Sequence, residues 1–508
     1  MRELIKIDEP KLLFRFDQEL EDPRDGLMLF GPLDEGKPYG IRAGVIGTPD
    51  GIVRFINWVE KIARPIRDIV KFKQAEEARP LFLGFETTFR TPWMPKPVVQ
   101  VQIPMNEILG CVYLDDQYQR VYKTVDLYAS KIIKAVNEDD TQVDIWFVIV
   151  PDEVYQYCRP KSVVERGLRI HSASTMTLRR AKTLKKQMSF LSEDQSDKAQ
   201  PYYYELNFHN QLKARLLQSK ALTQIIREST IAPEDFPDKR GEPARKMHTM
   251  QASVAWNIST AVFYKCGGRP WKISGIREGV CYIGIVFKQL LNNSDVKNAC
   301  CAAQMFLDSG DGVVFKGNVG PWYNPVEGDY HLDKSSAYEL VQRAVKSYQD
   351  IVGKPPAELF LHGRVEFDDA EWSGFQQAVG PETNLVGIRI RQSSDIKLFR
   401  KAKLPVMRGT GYKYSKRKAY LWTKGYIPRL QTYPGREVPN PLEVYITRGN
   451  ADFDVVLSDI LALTKLNYNA CIFADGVPVT LRFADAVGEI LTAGPIEGNV
   501  PLPFKHYI

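Results

Sequence analysis

The chain has 508 residues, 44% of them apolar and 25% charged, with a formal net charge of +7. That length exceeds one ordinary core, so two or three domains are expected, and the composition excludes a disordered chain. The mild positive surplus permits contact with a phosphate backbone without establishing it.

In chain order, Ile41 to Ile46 reads as a strand. Thr48 then offers an N-cap, Pro49 takes the first helical position, and Ile52, Phe55, Ile56, Val59 and Ile62 mark one helical face. Val143 to Val150 is a nearly continuous apolar run, as in a strand buried on both faces of a parallel sheet. Residues 160–200 are polar and basic, with the charge run Leu178 to Lys186 and an apolar-poor stretch from Ser192 to Gln200. These read as a solvated helix and a loop. Helices follow at 205–219 and 249–265, the second stopped by Gly267-Gly268 and Pro270. From Val280 the texture changes. Strands are predicted at 280–288, 299–307 and 312–319, the last two joined by a turn from Asp308 to Gly312. A helix at 334–352, a short strand at 359–362, a helix at 368–379 and a strand at 385–391 come next. A hairpin with a basic arm, Lys413 to Lys418, precedes a strand at 442–447, and helices fit 452–466 and 480–492. Three consecutive strands followed by alternating helices and strands is the order of an RNase H-like domain.

The seven cysteines fit no closed disulfide framework, and the adjacent Cys300 and Cys301 have the wrong spacing for paired zinc ligands. The opening Met1 to Lys6 lacks an apolar signal region, and Ile145 to Val150 is far too short to span a bilayer. A reducing cytoplasm is the expected location.

His209 and Lys213 lie four apart on one predicted helix and so share a face. Gln224 follows in a short stretch, and Lys265 ends the later helix. Two ammoniums, an amide and an imidazole make a donor set suited to a terminal phosphate. Spacing alone equally fits surface decoration and a lysine placed by the helix dipole.

Three segments resemble the MID domain of Argonaute proteins: Phe208-His209-Asn210-Gln211-Leu212-Lys213, Leu222-Thr223-Gln224, and Phe263-Tyr264-Lys265-Cys266-Gly267-Gly268-Arg269-Pro270-Trp271. The resemblance implies that His209, Lys213, Gln224 and Lys265 bind the 5′-phosphate of a guide strand. Cys281 to Val286, Leu463 to Asn469 and Val479 to Asp485 resemble the family's PIWI domain, and Glu9 to Phe14, Asp22 to Leu27, Gly31-Pro32 and Gly44 to Gly47 fit its opening. The implied fold is α/β: an N-terminal strand and helix segment (1–100) packing with the rest, a Rossmann-like MID domain (101–275), and an RNase H-like PIWI domain (276–508). The resemblance further implies Mg²⁺ at the phosphate pocket, held by the C-terminal carboxylate of Ile508 with Gln224. Ala261, one turn before Lys265, departs from the pattern, because it can neither ligate a metal nor replace one.

Two-metal cleavage needs several carboxylates converging on ions about 4 Å apart. The first family aspartate matches Val286, and the second matches the stretch Phe360 to Val365, which has no acid until Glu366. Asp485 matches the last, and it equally suits a helix N-terminus, as do Asp368 and Asp369. A nuclease-dead PIWI domain is therefore expected. The length leaves no space for N and PAZ domains before the MID motifs, which resembles the short prokaryotic Argonautes, closest to the TIR-associated branch. That resemblance implies a guide RNA, a single-stranded DNA target and an APAZ-containing effector protein, most simply a TIR-type NAD⁺ hydrolase, in a heterodimer that can assemble further on target binding. Its role would be prokaryotic defence against plasmids and phage. The alternatives are a guide-dependent endonuclease with displaced metal ligands and a stand-alone guide- and target-binding protein.

Overall fold

A computed structural model describes residues 2–68, 81–138, 140–172, 176–185, 198–243, 246–289, 299–307, 312–320, 322–324, 328–433, 435, 437–494 and 502–508. The turn acids Asp308 and Asp311, and the polar stretch from 186 to 197, lie outside these residues.

Two sheets organise the chain. The smaller has the strand order Val99–Gln102, Ala43–Gly47, Ile145–Val150, Thr223–Arg227. All neighbours in it run parallel. The two central strands are buried at every position, as expected of β-branched, apolar segments covered on both faces. The helix Pro49–Ile62 begins as its sequence directs: the Thr48 side chain accepts from the Gly51 amide at 2.8 Å, with Pro49 in the first turn. Ile52, Phe55, Val59 and Ile62 face the core. The opposite side of the sheet is covered by Gln117–Glu138, a helix of 22 residues. Its apolar positions are spread among many charges, and it has no place in the sequence expectation.

The larger sheet, among the described residues, has ten strands. Its centre is the run Gly312–Gly320, Ala299–Leu307, Val280–Gln289, Glu358–Gly363, Asn384–Gln392. The first three pair antiparallel, and Val280–Gln289, Glu358–Gly363 and Asn384–Gln392 pair parallel. This is the mixed order expected of an RNase H-like domain. Helices Lys334–Val352 and Asp369–Val379 pack against each other beside it.

The boundary expected at residue 100 falls inside the strand Val99–Gln102, so the first hundred residues are not a separate segment. Ala43–Gly47 and Val99–Gln102 belong to the parallel sheet. Glu3–Lys6 instead adds to the edge of the large sheet, antiparallel to Thr410–Lys413. Glu9 is held there by Arg408 at 2.9 Å and Lys465 at 2.7 Å. The helix expected at 480–492 is two pieces, Val479–Arg482 and Ala484–Leu491, with Phe483 between them. Gly284 shows why the first piece needs a glycine beneath it: a Cβ there would sit 1.9 Å from the Thr480 carbonyl oxygen. Among the described residues no helix is long and apolar enough to cross a membrane.

Candidate functional site

Three elements of the parallel-sheet unit converge at one end of the strand Thr223–Arg227. The helix Phe208–Leu216 starts at Asn207, whose side chain accepts from the Asn210 amide at 3.3 Å. One turn further in, this helix carries Lys213. The helix Gln251–Lys265 ends on Lys265, where Gly267 takes the left-handed conformation (φ 93°) that lets the chain leave.

Lys213 and Lys265 are 2% and 1% exposed. Both Nζ atoms donate to the Thr223 carbonyl, at 3.4 Å and 3.0 Å. Lys265 also donates to Gln224 Oε1 at 2.7 Å, and Lys213 to the Ile508 main-chain oxygen at 2.5 Å. The four expected phosphate-binding residues are therefore brought to one place, with His209 at its rim: the residue is exposed, and its Nδ1 lies 3.2 Å from Asn210 Oδ1.

Among the described residues neither lysine has a side-chain carboxylate partner. Burial pushes Lys213 down to about 7 and Lys265 well below the usual lysine value, Lys213 adding to the effect on Lys265. Desolvation, then the Lys213 ammonium, act to lower the His209 pKa, an effect limited by the residue's exposure to water. Two buried ammoniums whose charge is opposed by their surroundings form a site that an anion would stabilise.

Residues 502–508 complete the pocket. Phe504 packs on Tyr264 and Phe483, with ring centroids 6.5 Å and 5.0 Å apart, and this seats Ile508 against Lys213. His506 is drawn in as well. Burial, then Lys505 and Lys213, push its imidazole down to about 4, and its buried Nδ1 has no hydrogen-bond partner among the described residues. Spacing gave no signal for His506, which reaches the site through contacts between the two halves of the chain, or for Asn210, whose link to Glu489 joins those halves.

The Mg²⁺ ligands implied by the resemblance do not fit a divalent ion in this arrangement. The Ile508 oxygen and Gln224 Oε1 each accept from a lysine ammonium, and Ala261 contributes only a buried methyl. Here the lysines occupy the positions around which a cation would be held.

On the large sheet, Val286 is 4% exposed on the strand Val280–Gln289. His362, on the neighbouring strand, is buried, shares a 2.9 Å hydrogen bond with Thr480 Oγ1, and is pushed by burial down to about 3. Asp485 is half-exposed and accepts from Arg364 at 2.5 Å. Asp368 caps the helix Asp369–Val379 in a capping box with Glu371. Glu371 also accepts from the Leu332 amide at 2.8 Å and lies 2.9 Å from His331 Nδ1. Helix capping thus accounts for Asp368 and Glu371 in the cluster, and His331 pairs with Glu371 beside it.

The basic arm is largely committed inside the fold. Lys413 pairs with Asp454, Lys418 with Glu443 at 2.9 Å, and Arg417 donates to the carbonyls of Ile446 and Gly449. Leu178–Lys185 forms a helix anchored by the buried Ala181.

No family model matches the chain. Among curated proteins, the Argonaute of Aquifex aeolicus (strain VF5) is 23% identical over 317 residues, covering 60% of this chain and 39% of that protein. Among solved structures, Clostridium butyricum Argonaute bound to a guide DNA and a 19-mer target DNA matches with TM-score 0.63 and 13% identity, over 98% of this chain and 54% of that one. A. aeolicus Argonaute with externally bound siRNA matches with TM-score 0.54 and 15% identity, over 99% and 56%. Drosophila Piwi matches with TM-score 0.56 and 12% identity, again over 99% and 56%. The chain has the α/β fold of these Argonaute and Piwi structures, and over 317 residues its sequence is similar to that of the A. aeolicus Argonaute. It spans 39% of the curated relative's length and little more than half of each solved one.

Proposed function

We propose that this chain anchors a guide strand by its 5′-phosphate and pairs it with a target without cutting either strand. The observation that carries the reading is the pair of buried lysines, Lys213 and Lys265, converging on the Thr223 carbonyl, with the Ile508 oxygen and Gln224 Oε1 as their other acceptors. Their charge, with Gln224 and His209, would meet the phosphate directly and without a bridging metal ion. Base pairing would read the sequence, and the protein would hold the backbone.

The loss of cleavage is supported by what stands at the three family positions. Val286 is apolar and His362 is committed to Thr480. The remaining carboxylate, Asp485, is countered by Arg364. One carboxylate already neutralised by a guanidinium is a poor holder of two Mg²⁺ ions. The finer reading rests on the resemblance of the motifs: a short prokaryotic Argonaute with an RNA guide and a single-stranded DNA target, signalling to an APAZ-containing effector, with TIR-type NAD⁺ hydrolysis as output and defence against plasmids and phage as its role.

The test compares 5′-phosphorylated with 5′-hydroxyl guides of one sequence. Wild-type chain is expected to prefer the phosphate at least about tenfold, and Lys213→Ala with Lys265→Ala to lose that preference. An equal loss for both guides would misplace the pocket. With guide, target and Mg²⁺, no cleavage is expected, and cleavage abolished by Asp485→Asn would sink the reading.

A further inference from the structure

Asn210 is 6% exposed and stands where the helix Phe208–Leu216 meets the helix Ala484–Leu491. Its carboxamide is held at both ends. Nδ2 donates to Glu205 Oε2 at 3.1 Å and to Glu489 Oε2 at 3.4 Å. Glu489 is itself held by the Lys288 ammonium at 3.0 Å, from the strand that carries Val286. With Nδ2 facing the carboxyl oxygens of both glutamates, the amide turns its oxygen the other way. The oxygen then faces His209 Nδ1 at 3.2 Å and can only accept a proton from it.

We propose that Asn210 is a positioning residue of the phosphate pocket: it fixes His209 in the Nδ1–H tautomer and ties the pocket helix to the PIWI-side helix bearing Asp485. The inference rests on the phosphate-pocket reading and deepens it.

The consequence is chemical. With Nδ1–H given to Asn210, neutral His209 keeps a lone pair on Nε2, which repels an anion. His209 becomes a phosphate donor at Nε2 only as the imidazolium, with Asn210 still accepting at Nδ1. Desolvation, and the positive charge of Lys213 and Lys265 when they are protonated, act against a charge on the free imidazole. An arriving phosphate dianion supplies the opposing charge that favours the proton. Histidine thus holds no net charge in the free pocket and gains one with the ligand. The links Asn210–Glu489–Lys288 place the same event one side chain from the PIWI sheet.

The experiment reads the tautomer directly. Histidine-selective ¹⁵N labelling gives signals from six residues, and that of His209 is assigned by its loss in His209→Gln. Wild-type chain is expected to show the Nδ1–H form. Asn210→Ala is expected to shift it toward Nε2–H and to cut the 5′-phosphate preference about tenfold, while Asn210→Asp, which keeps an acceptor, retains Nδ1–H. An unchanged tautomer in Asn210→Ala overturns the assignment, as does an Nε2–H form in wild-type chain. Wild-type chain with no 5′-phosphate preference overturns the pocket reading instead, and the tautomer is scored independently of it. Thermal unfolding of each variant separates either result from loss of fold.

Discussion

Lys213 brings a positive charge into a site where only 2% of the residue's surface reaches water. Burial moves its pKa from 10.5 to about 7. Between those two values the unfolded chain binds the extra proton, so this group makes the free fold more stable as pH rises. A bound phosphate reverses that preference by restoring the ammonium. Above pH 7 binding must therefore take up a proton at Lys213, and the preference for 5′-phosphate should fall by about tenfold per pH unit for each proton taken up. Guide titrations at successive pH values measure it, and Lys213→Gln should flatten the curve. Chelation of divalent cations with EDTA should leave the preference in place, since lysines hold the oxygens that a metal would use. At the other centre, the Arg364–Asp485 pair is half-exposed on both sides. Such pairs contribute about 0–1 kcal/mol, so Arg364→Ala should change urea stability by no more than that. The four residues that meet at Thr223 were singled out by the resemblance of the segments that carry them, most distinctively the lysine directly before Gly267-Gly268, and not by their spacing. Asn210 and His506 were not, because the contact of Asn210 with Glu489 and the approach of His506 to Lys213 each join segments hundreds of residues apart.

At the level of elements, the strongest periodic signals matched the fold and the weak ones did not. Lys334–Val352 follows a stripe of Ala337, Leu340, Val341, Ala344 and Tyr348, all buried, and ends on Gly353 in the left-handed region (φ 85°). Gln117–Glu138 hides its stripe among lysines, tyrosines and glutamines, so its charge pattern masked it. Thr223–Arg227 was missed as a strand because five residues with a threonine and a glutamine carry no clear alternation. Beneath the first piece of the helix pair at 479–491 lies a contact that sequence cannot display: the closeness of Thr480 to the backbone of Gly284. Gly284→Ala should therefore force the two apart and cost about 1–3 kcal/mol in denaturant unfolding, although alanine is the milder residue by propensity. Asp368→Ala removes one half of a capping box and should cost about 1 kcal/mol by the same measure.

Over the whole molecule, the two sheets meet through the pocket helix, the Ala484–Leu491 helix and the final residues. Nucleic acid held along the backbone should bind more weakly as salt rises, with log affinity falling linearly against log salt. The 5′-phosphate preference should change far less with salt, because Lys213 and Lys265 lie where mobile ions screen poorly. Measuring both guides across a salt series separates the two contributions. The seat of residues 502–508 also sets an order in time. Synthesis runs from the N-terminus, and domains fold as they emerge. The parallel sheet has all its strands once Thr223–Arg227 has been made, yet its pocket lacks a wall until Phe504 and Ile508 arrive. A chain cut before Phe504 should therefore keep the described strands of the parallel sheet and lose the wall against which Lys213 is held.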